Sequence, residues 1–102
     1  MTNSTGYTLK DGVAQNKQYP ATFEIPPAIQ REHLRPGDFA KLWFEDAATG
    51  FVERMWVMIK SVSADGNYVG TLNNHPVDMP CLKFDDIVAF EPKHVIGAMQ
   101  PE

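Results

Sequence analysis

The chain of 102 residues is long enough for one domain and too short for two independent cores. Its hydrophobic fraction of 43% and charged fraction of 22% are those of a globular protein, which excludes an intrinsically disordered chain. Its net charge of -4 disfavours general binding to nucleic acid, because affinity for a phosphate backbone comes from clustered lysines and arginines.

The N-terminal segment, residues 1–18, is polar and has no period that would bury one face, so we predict a flexible arm there. It has neither the basic start nor the apolar run of a signal peptide. No stretch reaches the roughly 20 apolar residues of a membrane span. The only cysteine, Cys81, suits a reducing compartment, and these features together predict a cytoplasmic protein with no membrane contact.

Residues 19–98 are predicted to form the single domain, and residues 99–102 a frayed C-terminus. The domain begins with an extended segment, and two prolines then lead into a predicted short helix at 27–34. Beyond it, short strands alternate with turn residues, at 39–45, 53–62, 68–72 and 87–91, with a closing segment at 94–96. This pattern predicts a mostly β fold, namely a small antiparallel SH3-like barrel with an N-terminal arm and one short helix.

Side chains alternate between the two faces of a strand, so their parity predicts which of them share a face. In the first two predicted strands one face is aliphatic and is expected to form the core. The opposite face places Trp43, Trp56 and Met58 beside basic residues. We expect the apolar side chains of residues 19–34 to cover this face, since exposed apolar patches of that size are uncommon on monomers. If that segment docks elsewhere, the face becomes a partner site. The aliphatic set expected to form the core is Ala40, Leu42, Phe44, Met55, Val57 and Ile59.

Five stretches in chain order, TFEIP, LRPGDFAKLWF, ERMWV, YVGTLNNHPV and LKFDDIVAFEPKHVI, resemble the bacterial domain-of-unknown-function family 2314. The resemblance covers about residues 22–96, and its most specific parts are ERMWV and the run from Gly70 to Pro76. It implies a small, mostly β domain of bacteria or their phages and supplies no catalytic residues. In the family pattern a glycine often stands where this chain has Asp85, and the pattern requires no cysteine at Cys81.

The stretch LNNHPVDMPCL, residues 72–82, contains side chains that are common in active sites, namely His75, Asp78 and Cys81. A nucleophilic cysteine requires a base within hydrogen-bond reach and donors for an oxyanion, and neighbouring sequence positions establish neither. Asparagines and prolines at these spacings are typical of a rigid turn. We therefore interpret the stretch as a proline-braced turn between two strands, with His75 and Asp78 at its tip.

No metal site and no cofactor are predicted, because the spacings of the histidines and Cys81 match no zinc pattern. The adjacent residues Glu53 and Arg54 point to opposite faces of their strand. We interpret Glu53 as an acceptor for amide protons of a loop, and Arg54 as lying across Trp43 or Trp56 in a cation–π contact.

These observations predict a non-enzymatic module that binds a protein partner; they leave its oligomeric state open. One alternative is a small hydrolase with its site in the 73–81 loop, using His75 with Asp78 or Cys81. Another is a protein that binds single-stranded nucleic acid on the tryptophan face. The predicted binding residues are Trp43, Arg54, Trp56 and Met58 on the sheet, with Asn74, His75 and Asp78 at its edge.

Overall fold

The fold is mostly β. A computed structural model describes residues 6–100, and within them six strands form one antiparallel sheet. Two short helices, α1 (Gly12–Gln18) and α2 (Ala28–Arg31), and one 3-10 turn (Pro92–His94) connect strands. The strands are β1 (Tyr7–Leu9), β2 (Phe39–Asp46), β3 (Val52–Val62), β4 (Tyr68–Leu72), β5 (Ile87–Phe90) and β6 (Val95–Met99).

Strands β2 to β5 form a meander in which each strand pairs with the next one along the chain. The 3-10 turn then redirects the chain, and β6 pairs with the first half of β2. Strand β1 pairs with the second half of β2, where Tyr7 is opposite Asp46. The sheet is therefore a curled antiparallel half-barrel. The four strands predicted for the meander are confirmed to within one residue at each end, and the closing strand is longer than predicted.

The core lies on the concave side of this sheet. Strand β2 alternates strictly between half-buried and buried residues, and the six predicted core side chains of β2 and β3 are at most 1% exposed. That prediction is confirmed. The 73–86 loop adds Met79 and Leu82 to the core, and the segment after α2 adds Leu34. Full burial of each such side chain stabilises the fold by about 1.5–3 kcal/mol.

The prediction of a flexible arm at residues 1–18 is wrong for residues 7–18, which form β1 and α1; positions 1–5 lie outside the described residues. The Asp11 carboxylate caps α1 by accepting a hydrogen bond from the Ala14 amide at 3.0 Å. Gly12 is buried against β6, where a Cβ would lie 2.7 Å from Cγ2 of Ile96. This segment is thus ordered by long-range packing, with little apolar periodicity of its own.

The short helix predicted at 27–34 is confirmed in part, because α2 spans only Ala28–Arg31. The chain beyond it is held by a buried tyrosine rather than by further helical turns. The hydroxyl of Tyr68 donates to the carbonyl of Arg31 at 2.7 Å and accepts from the amide of Leu34 at 3.2 Å. One phenol therefore attaches the α2 region to β4.

The predicted frayed C-terminus at 99–102 is wrong at Met99, which is the last residue of β6 and pairs with Phe39. Positions 101 and 102 lie outside the described residues. Among residues 6–100, no helix is both long enough and apolar enough to cross a membrane.

Candidate functional site

A row of side chains crosses the convex face of the sheet, one from each of five strands. Register partners lie side by side on one face of an antiparallel sheet, so these five are neighbours. Their positions are opposite one another in β6, β2, β3, β4 and β5. We call this set the outer row; it consists of Met99, Phe39, Met58, Thr71 and Ile87.

The outer row is accessible to solvent although most of it is apolar. Ile87 is 72% exposed and Met99 is 50% exposed, while Phe39 and Met58 are half-buried. Alongside the row, Val69 of β4 is 40% exposed. Methionine and aromatic side chains are enriched in protein interfaces, and exposed apolar patches larger than a few hundred Å² are a common feature of interaction sites.

Trp43 is covered by other groups of the chain. The ring of Phe23 stacks on it at 5.2 Å, and the Arg54 guanidinium lies over it at 5.0 Å. The ammonium group of Lys10 lies 5.4 Å from the same ring. Within the described residues, the buried indole nitrogen of Trp43 has no hydrogen-bond partner. The predicted coverage of the tryptophan face by residues 19–34 is therefore confirmed at Trp43, which has a structural role in holding Phe23.

Trp56 lies next to the outer row and is half-exposed. Its register partner Lys41 places its ammonium group 5.7 Å from the centre of the indole ring. Gly97 of β6 is opposite Lys41 and leaves room for this pair, because a Cβ there would lie 3.2 Å from Cβ of Lys41 and 3.8 Å from Cη2 of Trp56. Trp56 and Lys41 thus extend the outer row with one aromatic and one cationic group.

The loop after β4 is attached to the edge of β3. The Glu53 carboxylate accepts hydrogen bonds from the amides of Val77 and Asp78 at 3.0–3.2 Å. The Asn74 side chain accepts from the amide of Trp56. The interpretation of Glu53 as an acceptor for loop amides is confirmed, as is the contact of Arg54 with a tryptophan. Asn74, one of the predicted binding residues, therefore holds the loop in place.

The remaining predicted residues of the loop do not converge on a catalytic arrangement. His75 stacks on Phe84 at 4.9 Å, and the thiol of Cys81 lies 3.7 Å from a carboxylate oxygen of Asp46. Burial, together with Asp46, raises the pKa of Cys81, so the thiol is protonated at neutral pH. In the described part of the chain no hydrogen bond links Cys81 to His75 or Asp78. This geometry gives the hydrolase alternative no support.

A cleft of about 250 Å³ lies where β4 begins and β5 ends, and its lining includes Ser63, Glu91 and His94. The residue types resemble a catalytic triad, but the hydrogen bonds do not. The imidazole Nδ1 of His94 accepts a hydrogen bond from the backbone amide of Glu91, whereas in a triad that nitrogen carries a proton and donates a hydrogen bond to a carboxylate. Burial lowers the pKa of His94, and the Glu91 carboxylate accepts from the His94 backbone amide. The pair caps the 3-10 turn.

No group of three or more His, Cys, Asp or Glu side chains in residues 6–100 could hold a metal ion. Comparison with known proteins finds no matching family model, curated protein or solved structure. The resemblance to family 2314 therefore stays a prediction.

The structure thus divides the predicted binding residues into three places. Trp56 and Met58 lie together on the accessible part of the sheet, Trp43 and Arg54 lie in the cluster with Phe23, and the loop residues lie at the sheet edge. The members of the outer row that sequence reasoning left out are Phe39, Thr71, Ile87 and Met99. Alternation could have placed each on the outer face, but their alignment into one row depends on strand register.

Proposed function

We propose that this chain is a non-enzymatic module that binds a partner protein through the outer row and Trp56. The observation that carries the proposal is the exposure of Ile87 and Met99 at the two ends of a mostly apolar row that crosses five strands. The backbone of paired strands is already ordered before binding, so it loses little conformational entropy in a complex, which favours affinity.

Two further properties belong to this proposal. The path of the chain, a four-strand meander followed by a 3-10 turn and a last strand that returns to the first strand of the meander, supports an SH3-like barrel. The single thiol of Cys81 supports a cytoplasmic location.

A matched pair of substitutions tests the binding surface. Ile87 in the outer row is 72% exposed and Ile29 in α2 is 71% exposed, so aspartate at either position removes the same side chain from nearly the same degree of burial. Tagged wild-type protein, Ile87→Asp and Ile29→Asp are used for affinity capture from an extract of the native cells, after circular dichroism has shown that all three are folded.

We expect a protein that is captured by the wild type and by Ile29→Asp to be lost with Ile87→Asp, because an unpaired charge introduced into an apolar interface weakens binding. Equal capture by both variants would move the binding surface away from the outer row. Loss with Ile29→Asp alone would assign it to α2.

A further inference from the structure

Two cations on the convex face contact aromatic rings instead of carboxylates. Lys41 lies over Trp56 and Arg54 lies over Trp43, at 5.7 and 5.0 Å from the ring centres. Within residues 6–100 the ion pairs are Lys10 with Glu45 and Lys83 with Asp86, and neither includes Lys41, Arg54 or the exposed Lys60. A protein with a net charge of -4 thus leaves these three cations without an ion pair among the described residues.

We propose that the partner places an acidic amphipathic segment on this face; the inference rests on the proposed function and names the chemistry of its ligand. Apolar side chains of the segment contact the outer row, and its carboxylates lie over Lys41 and Lys60. Five strands at a spacing of about 4.8 Å make the row about 19 Å long. A helix of about 13 residues covers that length.

Charge complementarity favours this occupant over two others. A second copy bound by two-fold symmetry would bring the uncompensated cations of two identical faces close together, which costs energy. Nucleic acid requires a row of cations that follows the phosphates, and the outer row itself is mostly apolar and contains no cation. An acidic segment with apolar residues satisfies both features of the face at once.

Three synthetic peptides of about 15 residues test the proposal. Each has the same leucine stripe, and the flanking positions are all Glu, all Gln or all Lys. They are titrated into the isotope-labelled chain, and amide chemical shifts report where and how tightly each peptide binds. The variants are Lys41→Glu and Lys60→Glu, and the matched control is Lys17→Glu, because Lys17 is an exposed lysine of α1.

We expect the Glu peptide to shift amides of the outer row and to bind about fivefold more weakly to Lys41→Glu and to Lys60→Glu, since one surface ion pair contributes up to about 1 kcal/mol. Lys17→Glu should bind it like the wild type.

Two results would overturn the inference and leave the proposed function standing: equal affinity of the Gln or Lys peptide, or no shift of the outer row at about 1 mM Glu peptide. The proposed function fails separately, when Ile87→Asp retains every captured protein.

A fourth titration, with oligothymidylate at low salt, addresses nucleic acid. We expect no shift of the outer row, and quenching of tryptophan fluorescence together with such shifts would overturn the acidic segment in favour of single-stranded nucleic acid.

Discussion

Replacing Tyr68 by phenylalanine should lower the free energy of unfolding by more than the loss of a single hydrogen bond would, because the Tyr68 hydroxyl holds two backbone groups near α2. The ring is 1% exposed, and its hydroxyl is hydrogen-bonded to both the Arg31 carbonyl and the Leu34 amide. Phenylalanine keeps the ring but leaves two backbone groups without a partner. Each buried polar group left unpaired costs about 1–3 kcal/mol. If water reaches one of the two backbone groups, the expected loss in the free energy of unfolding is about 2 kcal/mol.

Urea unfolding of the wild type and Tyr68→Phe measures this difference in the free energy of unfolding, and a melting curve should show a decrease of about 10 °C. Tyr19→Phe is the control, because Tyr19 is 48% exposed and its hydroxyl accepts a hydrogen bond from the exposed side chain of Gln18. A loss below about 0.5 kcal/mol for Tyr68→Phe, no greater than the control, would refute the role assigned to the buried hydroxyl.

Three further predictions concern the 73–86 loop. Glu53→Ala should increase hydrogen exchange at the amide of Val77 by about fivefold, because that amide loses its acceptor, and unchanged protection would contradict the loop anchor. Asp85 has a φ of 77°, where glycine is favoured, so Asp85→Gly should stabilise the fold by up to about 1 kcal/mol in urea unfolding; a clear loss would mean that the carboxylate holds the turn. Asp46→Asn should lower the pKa of Cys81 and speed its alkylation at pH 8, since a negative charge beside the thiol disfavours the thiolate; an unchanged rate would contradict their contact.

The core of the sheet was predictable from sequence because alternation is a local property. In β2, every second residue from Ala40 to Asp46 is buried, as period two requires. Alternation along β3 also places Glu53 and Arg54 on opposite faces of the strand. As predicted, Glu53 accepts from loop amides and Arg54 lies over a tryptophan ring. Such inferences need no knowledge of which strands pair.

The rest depends on contacts between distant parts of the chain. Strand β1 has three residues, and its pairing of Tyr7 with Asp46 joins positions far apart in sequence. Gly12 lies within the predicted flexible arm, yet it is needed where α1 approaches β6. The outer row was missed for the same reason, since Ile87 and Met99 become parts of one surface only when β5 and β6 lie on opposite sides of the meander. The binding surface is therefore a property of register, which local sequence patterns do not determine.

A photo-cross-linking amino acid, placed either at Thr71 in the outer row or at Val77 in the loop, tests the central claim most directly. Thr71 lies near the end of β4, and Val77 lies in the loop that follows it. A cross-link from position 71 therefore detects a partner on the outer row, and one from position 77 detects a partner at the loop. Irradiation in native cells should give a covalent adduct with the partner from position 71 and none from position 77. An adduct from position 77 alone would contradict the account and assign binding to the loop.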